Sequence, residues 1–162
     1  MSATRPALPG DYGVPATDAG MLPWEFVEER LTAAPNYWLA TVSPGGAPHV
    51  RPVDGVWVEG ALCFGGSPQT RWVRNLQNDS RLSVHLPHDD EVIILEGTAT
   101  LVMDSADPLA TPSMLASRAK YPQYYTDEDE PSFRPFWSLR PARVYAWSLS
   151  GFPANVTRWR FD

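Results

Sequence analysis

The residues best suited to chemistry lie between His49 and Asn75. Arg51, Ser67, Thr70, Arg71 and Arg74 bring three guanidiniums and two hydroxyls, and the only acidic side chain between Asp54 and Asp79 is Glu59. Forked guanidiniums, hydroxyls and open backbone N–H groups are what hold a phosphate. Pro68 suits the first position of a helix with Ser67 as its cap, so the N–H groups of Gln69, Thr70 and Arg71 would be open where the dipole favours an anion. Cations such as Arg71 and Arg74 are misplaced at that end unless a negative ligand offsets them. Gly65-Gly66 would let a flat or bulky ligand approach the backbone. The competing reading leaves Arg71 and Arg74 solvated and pairs Arg51 with a distant carboxylate. His49 shares a strand face with Arg51 and Val53, as a proton donor or as a packed rim residue. Trp72, Trp159 and Phe161 could stack on a planar ring, although most tryptophans in a small domain serve the core.

Other constellations are weaker. His85 and His88 stand beside Asp89 and Asp90, but around a hairpin turn where consecutive side chains diverge, so no metal is expected there. Cys63, the single cysteine, lies mid-strand and reads as packing; it excludes an intrachain disulfide framework. There is no nucleophile elbow, phosphate-binding Walker loop or dinucleotide fingerprint. Asp54 and Glu96 are isolated carboxylates on apolar strands, suited to structural pairing more than to acid–base work.

These residues sit in a chain of 162 residues with a net charge of −6, enough for one domain. Apolar residues make up 43% and charged residues 20%, the profile of a globular protein. The acidic balance argues against a nucleic-acid partner. No stretch is apolar enough for a signal peptide or a membrane span, so a cytoplasmic protein is expected. All the basic residues except Lys120 are arginine, which a coding preference alone would explain, so only arginine positions bear on function.

Residues 1–20, rich in proline and glycine, read as an extended or disordered arm, and residues 21–162 as a single domain. The apolar spacing predicts a helix over 24–33. Strands are expected at 37–43, 48–58, 61–66, 81–86, 92–102 and 142–149, with a possible seventh over 156–161. Helices are expected at 68–78 and 105–120, and an acidic loop at 121–135. If Glu59-Gly60 is the whole hairpin loop, Val58 pairs with Ala61, Trp57 with Leu62 and Gly55 with Phe64. Extended further, that register puts Val53 opposite Gly66 and Arg51 opposite Pro68, so that Arg51, Ser67, Thr70 and Arg71 converge. Six or seven short strands with few helices suggest a closed, mostly antiparallel barrel.

The stretch YWLATVSPGGAPHVRPVDGVWVEGALCFGGSPQTRWVRNLQNDSRLSVHL, followed by EVIILEGTA, resembles the pyridoxamine 5'-phosphate oxidase-like split β-barrel superfamily. It is most similar to the flavin/deazaflavin oxidoreductase branch that uses coenzyme F420 or FMN. The likeness covers residues 24–102, and RVYAWSLSGFPANVTRWRF is similar to the closing strands. It implies a mainly β, six- to seven-stranded antiparallel split barrel, working as a homodimer with two cofactor sites at the subunit interface. It further implies that Arg51, Pro52 and Val53 lie along the isoalloxazine, and that Ser67, Thr70 and Arg71, with Arg74 and Asn75 behind them, hold the phosphate. Two departures stand out. Trp72 occupies a place where many relatives carry a lysine. No histidine follows His88, although Arg158-Trp159-Arg160 is present, which argues against oxidation of pyridoxamine phosphate itself.

The expected function is hydride transfer between bound F420 or FMN and a small conjugated substrate, with His49 as the first candidate for proton transfer and solvent as its rival. The alternatives are a module that binds or sequesters FMN, F420 or haem without turnover, and a barrel for another phosphorylated metabolite.

Overall fold

The computed structural model describes residues 1–126 and 132–161. The acidic run 127–130 lies outside them. In chain order the elements are β1 (Ser2–Thr4), α1 (Trp24–Ala33), β2 (Tyr37–Val42), β3 (Pro48–Val53), β4 (Gly55–Val58), β5 (Ala61–Phe64), α2 (Arg71–Asn78), β6 (Arg81–His85), β7 (Glu91–Val102), α3 (Ala110–Lys120), β8 (Phe136–Ser148) and β9 (Thr157–Arg160). All strand pairs are antiparallel, in the order β1-β9-β8-β7-β6-β2-β3, with β5 pairing both β4 and β8. The expected mainly β architecture is present. The ladder does not close on itself, because β3 ends the path with only β2 beside it.

The nine strands among the described residues exceed the six or seven read from the pattern for two reasons. β1 belongs to the N-terminal segment, where it pairs with β9; Arg5 holds that segment by donating to the carbonyls of Thr17, Ala19 and Val156 at 2.7–3.1 Å. The run 48–58 is also broken at Asp54 into two strands. At the break the Gly55 N–H donates to the Tyr121 hydroxyl (3.0 Å), and the Gly55 carbonyl accepts from Lys120 Nζ (2.8 Å). The end of α3 thus takes backbone groups that would otherwise continue a ladder.

β8 begins at Phe136, upstream of the expected Ala142, and changes partner along its length. Its first part pairs with β5 and its last part with β9, while β7 runs along the other side. The register shift opposite Glu96 and Gly97 lies where that change occurs, next to Pro141, which has no N–H to give a ladder. This bend splits the sheet.

The core fills the concave side. Tyr37 and Leu39 of β2, Val84 of β6, Leu95 of β7 and Val144 of β8 are all fully buried, and Val27 and Leu31 of α1 close over them. Trp24, at the start of α1, lies 5.5 Å from Trp159 and 5.1 Å from Phe161, ring centroid to centroid. α1 is fastened at its other end by a forked ion pair, Arg30 to Glu91 of β7, at 2.7 and 2.8 Å. Among the described residues, no helix is long and apolar enough to cross a membrane.

Candidate functional site

The register of β2 with β3 decides which side chains face the site. Tyr37 pairs with Val53, Leu39 with Arg51 and Thr41 with His49, so these three β3 residues share the concave face with the core of β2. Val53 is inside that core, whereas Arg51 and His49 lie toward its rim. Pro52 points to the convex face, opposite Trp38.

The hairpin register through Gly55 and Phe64 is as the two-residue loop requires. Its extension past Gly55 is not, because the break at Asp54 swings Arg51 away from Pro68 and pairs it with Leu39. Arg51 and Arg71 both come near His49, and α2 is placed there by docking on β2. Asn75, 2% exposed, donates from Nδ2 to Thr41 Oγ1 at 3.0 Å. That bond seats α2 beside the residue paired with His49. The sequence carries Asn75 as a ligand contact; the structure makes it the peg that positions α2.

α2 begins at Arg71, not at Pro68. Ser67 opens a tight turn instead of capping the helix: its hydroxyl accepts the Gln69 N–H (3.3 Å), and its carbonyl accepts the Thr70 N–H (3.0 Å) and hydroxyl (2.8 Å). With the Thr70 oxygen so engaged, the helix start has no side-chain cap. The first intrahelical bond is Arg74 N–H to the Thr70 carbonyl, so the open N–H groups are those of Arg71, Trp72 and Val73. Trp72, Val73, Asn75 and Leu76 form the buried face of α2, which leaves Arg71 and Arg74 in solvent.

The electrostatics agree. The His49 imidazole is held below its usual proton affinity, first by desolvation and then by the Arg71 and Arg51 guanidiniums. Both arginines therefore act on one point. Neither they nor Arg74 have a hydrogen-bond or ion-pair partner among the described residues. Six other arginines do: Arg5, Arg30, Arg81, Arg140, Arg143 and Arg158. An uncompensated cationic cluster beside open helix N–H groups fits a phosphate.

The two glycines before α2 have different reasons. A Cβ on Gly66 would lie 2.2 Å from Cζ2 of Trp72, so that position is bare because the indole packs on it. A Cβ on Gly65 would meet nothing within 4 Å. Trp159, 1% exposed, is a core indole and does not reach a surface ligand. Trp72 is likewise buried, against Phe64. Cys63 is buried among Val56, Ala61 and Leu109, and burial pushes its thiol up to about 12.

Sequence reasoning missed the environment of Lys120. Its ammonium donates to Gly55 O and, at 3.1 Å, to the Tyr37 hydroxyl, and burial lowers it to about 8. The one available signal was a lone lysine beside the tyrosine-rich Tyr121–Tyr125 segment.

No functionally curated protein matches the chain. Solved structures share its fold. A conserved hypothetical protein of Mycobacterium tuberculosis, Rv2991, superimposes with a TM-score of 0.68 at 21% identity, covering 83% of this chain and 92% of its own. An FMN-binding protein of Nostoc punctiforme, described as related to pyridoxamine 5'-phosphate oxidase, gives 0.56 at 20%, covering 88% and 98%. An F420 reductase gives 0.55 at 21%, covering 72% and 94%. At such identities the likeness speaks for fold. Sequence carries the rest: the family model for pyridoxamine 5'-phosphate oxidase matches residues 24–148, a span that includes both the Arg51 strand and the Arg71 helix, and the chain belongs to that family.

Proposed function

We propose that the chain binds FMN or coenzyme F420 through the phosphate, and that it acts in hydride transfer to or from a small conjugated substrate. The observation that carries this reading is a pair of guanidiniums, Arg51 and Arg71, that act together on His49 beside an uncapped helix start, with Arg74 one turn further along α2 and none of the three partnered among the described residues. A flavin or deazaflavin supplies the redox chemistry when bound. The chain's part is to hold and orient. Arg71, Arg74 and the N–H groups of Arg71, Trp72 and Val73 take the phosphate; Arg51 closes it from β3. The free edge of β3, which no other strand covers among the described residues, offers backbone donors and acceptors to the polar rim of a flat ring. His49, in the field of Arg71 and Arg51, is a group able to move a proton there. The FMN-binding protein and the F420 reductase that share this fold support the choice of cofactors.

The deciding experiment is a fluorescence titration of apoprotein with FMN and, in parallel, oxidised F420. Saturable binding of one of them is expected, and reoxidation of the reduced cofactor by unsaturated acceptors should then be faster with protein present. If neither binds, the reading fails. If one binds but no acceptor in a broad panel is accelerated, the protein is a cofactor-binding module.

A further inference from the structure

A second cavity, of about 320 Å³, lies between α3, the β4–β5 hairpin and residues 132–136. None of His49, Arg51, Arg71 or Arg74 lines it. Its walls are aromatic. The Tyr121 and Tyr124 rings stack at 5.9 Å and 26°, and Phe133 meets Phe136 edge-on at 6.3 Å. The Arg118 guanidinium sits 4.9 Å from the Tyr125 ring centroid, and that tyrosine's hydroxyl is held by Ser117 at 2.8 Å.

The charges are unequal. Arg118 and Arg134 both line the cavity, and neither has an ion pair or hydrogen bond among the described residues. One carboxylate, Asp54, also lines it. Among the described residues, neither guanidinium pairs with it. Among the described residues, two guanidiniums stand next to stacked rings with no anion paired to them.

We propose that this cavity binds a small aromatic carboxylate, its ring against the Tyr and Phe walls and its carboxylate on Arg118 and Arg134. A volume of 320 Å³ is near the lower end for ligand pockets, which suits one or two rings. Arginine over an aromatic face is suited to a planar anion, because it can stack and donate a fork at the same time. Gly65 lines the cavity and also begins the loop into α2, so the ligand would sit beside the phosphate site. The binding itself does not depend on the cofactor reading.

The test uses the full chain and calorimetric titration with 2-naphthoate and its uncharged isostere 2-naphthamide. Naphthoate should bind saturably with one site per chain. Loss of its charge-assisted hydrogen bonds should make the amide at least about ten-fold weaker. The double variant Arg118→Gln, Arg134→Gln should lower naphthoate affinity by a similar factor and leave amide affinity unchanged. Equal binding of the two probes, no saturation, or an undiminished double variant overturns the proposal. The comparison of probes needs no variant, so it stands even if the variant folds poorly. An FMN titration of the same samples reports on the phosphate site alone: naphthoate binding without FMN binding would sink only the cofactor reading.

Discussion

Arginine-rich composition carries no message until each guanidinium is placed. Arg30, Arg81 and Arg143 are spent on carboxylates, and Arg5 and Arg140 on backbone carbonyls. Among the described residues, Arg51, Arg71 and Arg74 meet neither. If their unpaired state reflects a phosphate site, Arg71→Ala should weaken FMN or F420 binding by about 1.5–3 kcal/mol, the size of a hydrogen bond to a charged group. Unchanged affinity in a fluorescence titration would remove Arg71 from the site. His49 supplies an independent check through pH. Its folded proton affinity lies below the ordinary value, so the empty protein binds fewer protons than the unfolded chain, and stability is lost as pH falls below about 6.5. A bound phosphate offsets the Arg71 and Arg51 field and should raise His49 back, so binding takes up a proton. Urea melts from pH 8 to 5 should show the acid loss in wild type, less of it with saturating inorganic phosphate, and less in His49→Gln. A His49→Gln profile matching wild type would place the titrating group elsewhere.

At the scale of elements, what was legible depended on how far away each partner lies. The spacing of Val27 and Leu31 gives α1 with the bounds it has, and the Glu59-Gly60 loop fixes the β4–β5 register, because both are local. The break at Asp54 was not legible, since the Lys120 ammonium that takes the Gly55 carbonyl lies 65 residues on. The start of β8 was hidden by Pro141, which ends the apolar run in sequence but marks a bulge in the sheet. Gly66 is the instructive case. The sequence offers two equivalent glycines and a ligand to explain them; the structure assigns one to the Trp72 indole. Gly66→Ala should therefore cost about 1–3 kcal/mol, the usual penalty for overpacking, and should weaken cofactor binding by shifting α2. Gly65→Ala, built into open space, should be close to neutral in both. Equal effects of the two substitutions, measured by thermal melts and cofactor titration, would mean that Trp72 does not seat α2.

At the scale of the whole molecule, the convex side of the β2–β3 hairpin exposes apolar side chains. On the convex side of β2 and β3, Val42 and Val50 are 42% and 46% exposed, and Pro48, Pro52 and Ala40 share their face. The face continues to Trp38, stacked on His85 at 6.0 Å, and ends at Ile94 and Tyr145, which share a hollow with Pro6, Leu8 and Tyr12 of the N-terminal segment. Exposed apolar side chains grouped on one sheet face suit an interaction site, and a second copy is the partner that the family resemblance implies. A two-fold interface on this face also bears on the cofactor. β3 carries Arg51 and His49 on one side and Val50 and Pro52 on the other, so a copy packed against Val50 lies along the same strand that would edge the ring. Val50→Glu tests both halves of the argument. A stable dimer of ordinary size buries about 800 Å² per partner, and one buried, unpaired carboxylate costs enough to dissociate it. Light scattering after size exclusion should give a dimer for wild type and a monomer for Val50→Glu, with cofactor affinity falling in parallel. Arg71→Ala, by contrast, should stay dimeric while losing cofactor. A wild-type monomer that still binds cofactor at full strength would show that one chain completes the site, and the convex face would then belong to a different partner.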